Sequence, residues 1–99
     1  MSLSITIDHE RITEFCRRNR VRRLSFFGSV LRGDFGPASD VDVLVEFEPE
    51  ATVGYFLMSS MEQELTGMFG RRVDLRTPKE LSRYFRDEVL ADAQEEYVA

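Results

Sequence analysis

Residues 41–47, Val-Asp-Val-Leu-Val-Glu-Phe, constrain the fold more than any other stretch of the chain. Val41, Val43, Val45 and Phe47 recur at every second position, with Asp42 facing the other way, which is the period of a strand that buries one face. Pro49 ends the run. Two more strands are expected around it. Leu24-Ser25-Phe26-Phe27 reads as a short buried strand ending at Gly28-Ser29, and residues 72–76 place Val73 and Leu75 on one side and Asp74 on the other.

Helical signals fill the intervals. Asp8 suits an N-cap, Ile7 and Ile12 are spaced as a hydrophobic staple, and Ile12, Phe15 and Cys16 follow helical spacing up to a stop at Asn19. Cys16 is then a small buried core residue, and His9, the only histidine, is a surface residue of the first turn. Leu57, Met58, Met61, Leu65 and Met68 mark a second helix closed by Gly67 and Gly70, its methionines filling the core. Thr77-Pro78-Lys79-Glu80 reads as a capping box with proline at the first helical position. The last helix is expected from there, with Leu81, Phe85 and Val89 inward, a break near Asp87, and continuation through Leu90, Ala93 and Tyr97. A short helix starting at Val30-Leu31-Arg32 completes the order helix, strand, short helix, strand, helix, strand, helix. That order gives an α+β fold: a small mixed β-sheet covered by helices, in one domain spanning residues 1–99. A helical crossover allows the second and third strands to lie parallel. Periodicity does not set the direction of the first.

With 99 residues there is no room for a second core. An apolar fraction of 42% against 31% charged residues fits a folded chain rather than a disordered one. No apolar run approaches the roughly 20 residues of a membrane span, and the first residues lack the basic-then-apolar pattern of a secretory signal. A single cysteine excludes an internal disulfide and suits a cytoplasmic location. The net charge of −5 disfavours direct nucleic-acid binding, yet is compatible with a nucleotide, because a cation can sit between carboxylates and phosphates. Charge is also uneven. Arg17, Arg18, Arg20, Arg22 and Arg23 crowd one stretch, read either as a solvated helix end or as a docking patch; Asp87, Glu88, Asp92, Glu95 and Glu96 crowd the C-terminus, read as a solvated helix face.

Three elements carry the chemistry. At Gly28-Ser29 a strand gives way to a helix start, where glycine permits close backbone approach and free N–H groups attract phosphate. In Asp40-Val41-Asp42 two carboxylates lie on one strand face, about 6.6 Å apart along the chain. Their repulsion is relieved by a divalent cation, which prefers carboxylate oxygen; alternatively Asp40 is a turn residue and Asp42 simply meets solvent. Asp74 is the third element. On a strand about 4.8 Å from the second, it brings three acids to one volume beside a phosphate-binding turn, as two-metal phosphoryl chemistry requires. Arg32, one turn beyond Ser29, reaches a phosphate or pairs with a surface acid such as Asp34.

Gly28-Ser29, ten residues, then Asp40-Val41-Asp42 resembles the signature of the DNA polymerase beta-like nucleotidyltransferase superfamily. The flanking Gly-Ser-Val-Leu-Arg-Gly-Asp and Ser-Asp-Val-Asp-Val-Leu-Val are similar to its minimal nucleotidyltransferase branch, and Arg71-Arg72-Val73-Asp74-Leu75 to the strand bearing its third carboxylate. The resemblance implies transfer of AMP from ATP to a hydroxyl acceptor. Asp40 and Asp42 would hold two Mg2+ ions, Asp74 would complete one metal site, and Gly28, Ser29 and Arg32 would bind the nucleotide. Members of this branch work with a helical ribonuclease toxin of the HEPN class, which as antitoxins they can neutralise by adenylylating a tyrosine. The competing readings are an antitoxin that neutralises by covering its partner without catalysis, and a catalytic subunit for a small-molecule acceptor.

Overall fold

The computed structural model describes residues 7–28, 40–81 and 86–99. The first helix, α1 (His9–Arg18), starts where Asp8 Oδ1 accepts a hydrogen bond from the Arg11 N–H at 3.3 Å. It ends where Asn19 sends both its backbone N–H and its side-chain amide to the Phe15 carbonyl. Glu10 lies in its first turn and Arg17 and Arg18 in its last, each matching the helix dipole. Ile12, Phe15 and Cys16 form its buried stripe.

Strand β1 (Val21–Phe27) runs antiparallel to β2 (Val41–Phe47). Helix α2 (Tyr55–Phe69) then crosses to β3 (Val73–Arg76), which lies parallel to β2, as the crossover allows. Gly70 stops α2 in the left-handed conformation, with φ 66°. Beyond β3 come one 3₁₀ turn (Pro78–Glu80), helix α3 (Arg86–Asp92) and strand β4 (Gln94–Val98), which pairs antiparallel with β1. The sheet order is β3-β2-β1-β4. It is a small mixed sheet with helices packed on it, and the α+β expectation holds.

One face of the sheet carries the core. Leu24 and Phe26 of β1, Val41, Val43 and Val45 of β2 and Val73 and Leu75 of β3 meet Ile12, Phe15 and Cys16 of α1 and Met61 and Leu65 of α2. The opposite face holds Ser25 and Leu44, both buried, together with Asp42 and Asp74. Each acid therefore stands on a strand whose other face is anchored in the core.

Several expectations need correction. Residues 94–98 are strand, not a continuation of the last helix. Glu95 and Glu96 disfavour a strand while Tyr97 and Val98 suit one, and pairing with the edge that β1 offers decides the balance. Glu95 and Glu96 are thus strand residues and not part of a helix face. The capping box at Thr77–Glu80 forms, yet it starts only a single turn that closes at Leu81. Gly67 lies inside α2. The arginine run is divided: Arg17 and Arg18 end α1, Arg20 takes φ 57° in the turn, and Arg22 and Arg23 belong to β1, which begins three residues earlier than expected. Arg23 reaches Glu46 across one flank and Glu95 across the other, at 3.5 and 3.7 Å, so cross-strand pairing explains its position. His9 is exposed as expected, but its Nδ1 lies 2.7 Å from Glu96 Oε2, tying α1 to β4. The short helix expected at Val30-Leu31-Arg32 and the inward Phe85 lie outside the described residues.

Candidate nucleotide and cation site

The site is built on the ends of three adjacent strands. Phe27 of β1 pairs with Asp42 of β2, and Asp42 pairs with Asp74 of β3, so the two carboxylates are direct register neighbours on parallel strands. Gly28 follows immediately after β1 with φ +74°, a conformation that other L-residues adopt only with strain. A Cβ there would lie 2.2 Å from Asp42 Oδ2 and 3.1 Å from its Cγ. Glycine is required at this position twice over, for its backbone angle and because the carboxylate occupies the side-chain space. The turn at Gly28 thus lies directly against Asp42.

Asp40 is exposed, two residues before Asp42 and just ahead of β2. The start of that strand is fixed by the Val41 N–H, which donates to the Arg72 carbonyl at 2.8 Å. Among the described residues, no three carboxylate, histidine or cysteine side chains are already gathered into a metal-ligating group. Register sets Asp42 and Asp74 side by side, and Asp40 lies at the entrance to β2. Ser29 and Arg32 lie outside the described residues.

Asp74 has a cation of its own. Arg76, two residues on and on the same strand face, places Nε 3.1 Å from Asp74 Oδ1 and Nη2 3.4 Å from Oδ2, and Nη1 3.9 Å from Glu80 Oε2. Both partners are substantially exposed, so the pair contributes at most about 1 kcal/mol and does not lock Asp74 away from a competing dication. Sequence reading overlooked Arg76, although its i+2 spacing from Asp74 was the available signal. Glu80 in turn accepts from both the N–H and the hydroxyl of Thr77 at 3.1 Å, which fixes the turn that follows β3.

Beside Asp74 opens a cleft of about 530 Å3, whose walls include Tyr55, Met58 and Ser59 of α2, Asp74 and Arg76 of β3, and Glu80. The α2 wall is held against the strand by two hydrogen bonds. Glu62 Oε2 accepts from the Leu75 N–H at 2.9 Å, and Thr66 Oγ1 accepts from the Val73 N–H at 3.1 Å. Cys16, by contrast, has no place in the chemistry: burial in the core pushes its thiol up to about 12, so it stays protonated and inert.

A glycine turn against one of two opposed strand-end carboxylates is the kind of site that handles phosphate and divalent cation together, as enzymes of nucleotide transfer do. The profile of the nucleotidyltransferase domain family matches residues 9–99, and the chain belongs to that family. It is 39% identical over 72 residues to protein adenylyltransferase MntA of Thermococcus cleftensis, a match covering 73% of this chain and 69% of that protein. It is also similar to a toxin–antitoxin structure solved with AMP-PNP, at TM-score 0.75 and 20% identity, over 94% of this chain and 75% of that one. A tri-AMPylated Shewanella oneidensis HEPN toxin in complex with an MNT antitoxin aligns at TM-score 0.64 and 18% identity, over 92% and 70% of the two chains. At these identities the two structures establish the shared fold. Among the described residues no helix is long and apolar enough to cross a membrane.

Proposed function

We propose that residues 1–99 act as one nucleotidyltransferase domain that moves AMP from ATP to a hydroxyl, a tyrosine of a HEPN-class ribonuclease toxin, and so serve as its antitoxin. The observation that carries this reading is Gly28 lying against Asp42 while Asp42 faces Asp74 across parallel strands. The adenylyltransferase relative and the AMPylated toxin complex support the choice of group and acceptor. A toxin and its antitoxin meet in the cytoplasm, which the single buried cysteine suits.

The donor chemistry suits Mg2+, a hard cation that takes carboxylate oxygen. Asp42 and Asp74, with Asp40, are the residues that would hold one or two such ions. When bound, the ions would offset phosphate charge and stabilise the entering and leaving oxygens. The chain's own part is positioning. Gly28 lets the backbone approach the phosphates, and Ser29 and Arg32 add a hydroxyl and a guanidinium to them. The acceptor oxygen forms a bond to the α-phosphorus, the bond from that phosphorus to the α,β-bridging oxygen breaks, and pyrophosphate leaves. Asp74 takes the hydroxyl proton.

Incubating the chain with ATP, Mg2+ and its HEPN partner, then weighing both intact proteins, tests this. The partner is expected to gain the mass of one or more adenylyl groups. Asp42→Asn is expected to slow the gain by at least about 100-fold, the upper range for residues that only orient a metal ligand. No gain on the partner with the unaltered chain would refute the reading.

A further inference from the structure

An open aromatic pair stands where α2 begins, next to the cleft beside Asp74. Tyr55, which lines that cleft, and Phe56, which does not, are the first two residues of α2 and are 82% and 89% exposed. Their rings meet edge to face, with centroids 6.2 Å apart. Paired aromatic side chains this open are costly to leave in water and are the residue type that anchors protein interfaces. Other surface apolar residues, Leu90 and Val98, are less exposed. Tyr55 shares the cleft lining with Asp74 and Arg76.

Charge narrows the occupant. Among the described residues, Glu62, Asp74 and Glu80 line the cleft against one cation, Arg76, which leaves those walls net negative. A segment entering there is favoured if it carries Lys or Arg. The volume of about 530 Å3 is far larger than one phenol ring needs, so the cleft admits a side chain together with its flanking backbone.

We infer that Tyr55 and Phe56 form the docking platform for the acceptor protein, gripping the basic segment that presents its hydroxyl to Asp74. This inference rests on the proposed adenylyl transfer, and names the surface that selects the acceptor. The platform, on α2, is separate from the Gly28–Asp42 turn, so partner recognition and nucleotide binding fall to different elements.

The test compares the unaltered chain with the double variant Tyr55→Ser/Phe56→Ser. Both positions are so exposed that the fold is expected to stand, which an unchanged thermal midpoint checks. Two quantities are then measured: the Kd for the HEPN partner without ATP, and AMP transfer to it with ATP and Mg2+. The Kd is expected to rise at least about tenfold, the range of interface anchors. The KM for the partner rises with it, kcat at saturating partner holds, and ATP affinity is unaltered. Placing Glu residues beside the partner's modified tyrosine is expected to weaken binding, and unchanged binding would refute the preference for a basic segment. If the double variant binds the partner within twofold of the unaltered chain, the platform is refuted, whether or not transfer occurs. Binding by the unaltered chain without transfer would instead refute the adenylylation reading and leave the Kd comparison to decide the platform.

Discussion

The two edges of the sheet are finished in opposite ways. At β3 the edge is closed: Glu62 and Thr66 of α2 take up the outward N–H groups of Leu75 and Val73, and both of those side chains are buried. At β4, the last strand on the other side, no pairing partner beyond β1 is found among the described residues, and charge lines the strand, with Glu95 exposed and Val98 55% exposed. Charged edge strands discourage pairing with other chains but contribute little core. The chemistry lies at the closed edge. Asp74 needs a strand that does not shift, because its partner Asp42 is set by register and a slip of one residue would turn it into the core. The comparison shows where stability has been concentrated: behind the carboxylates.

Perturbations should separate the two edges, and the largest difference is expected in the side chains behind them. Leu75→Ala removes a buried residue and should cost about 2–5 kcal/mol. Tyr97→Ala, half-buried on β4, should cost about 1–2 kcal/mol. Urea unfolding of both variants checks the contrast, and equal losses would erase it. Gly28→Ala comes next. A left-handed residue costs about 1–2 kcal/mol, and its Cβ would have to displace Asp42, so stability and ATP affinity should fall together. A variant with normal ATP binding would show that the turn does not need to lie against Asp42.

Smaller effects sharpen the same contrast. Glu62→Ala orphans the Leu75 N–H and should cost about 1 kcal/mol, visible as a fall of roughly 4–8 °C in thermal midpoint. Glu95→Ala on the open edge should stay within about 0.5 kcal/mol. Outside both edges, the core itself carries a pH dependence. Cys16 has its thiol pushed up to about 12 by burial, from an ordinary value of 9.0. Its contribution to stability is therefore intact below pH 9 and declines as pH rises from 9 towards 12, because only the unfolded thiol ionises there. Cys16→Ala should flatten that part of a thermal-midpoint profile, and the native thiol should resist alkylation at pH 8.

How much of this was legible from sequence follows the same divide. Residues 41–47 announce β2 because apolar residues at every second position, with Asp42 and Glu46 between them, fit a strand. The cap at Asp8 and the stop at Asn19 announce α1 because capping is local chemistry. The pairing of Asp42 with Asp74 followed from two strands joined by a helical crossover. Residues 94–98 were illegible because their strand state is imposed by the open edge of β1, far away in the chain. Arg23 belongs to β1 for a similar reason, lying between Glu46 and Glu95 on its two neighbours. Of the candidate site, the juxtaposition of Asp42, Asp74 and Gly28 was legible by type and spacing. The left-handed angle at Gly28, the grip of Arg76 on Asp74 and the cleft under Tyr55 depend on tertiary placement.

The central claim is that Gly28, Asp42 and Asp74 together hold nucleotide and cation. A crystal structure of the chain with a non-hydrolysable ATP analogue and Mg2+ tests it most directly. The account predicts phosphate oxygens over Gly28 and an ion touching both Asp42 and Asp74, with Arg76 released from Asp74. A nucleotide bound elsewhere, or an ion that leaves Asp74 paired with Arg76, would contradict it.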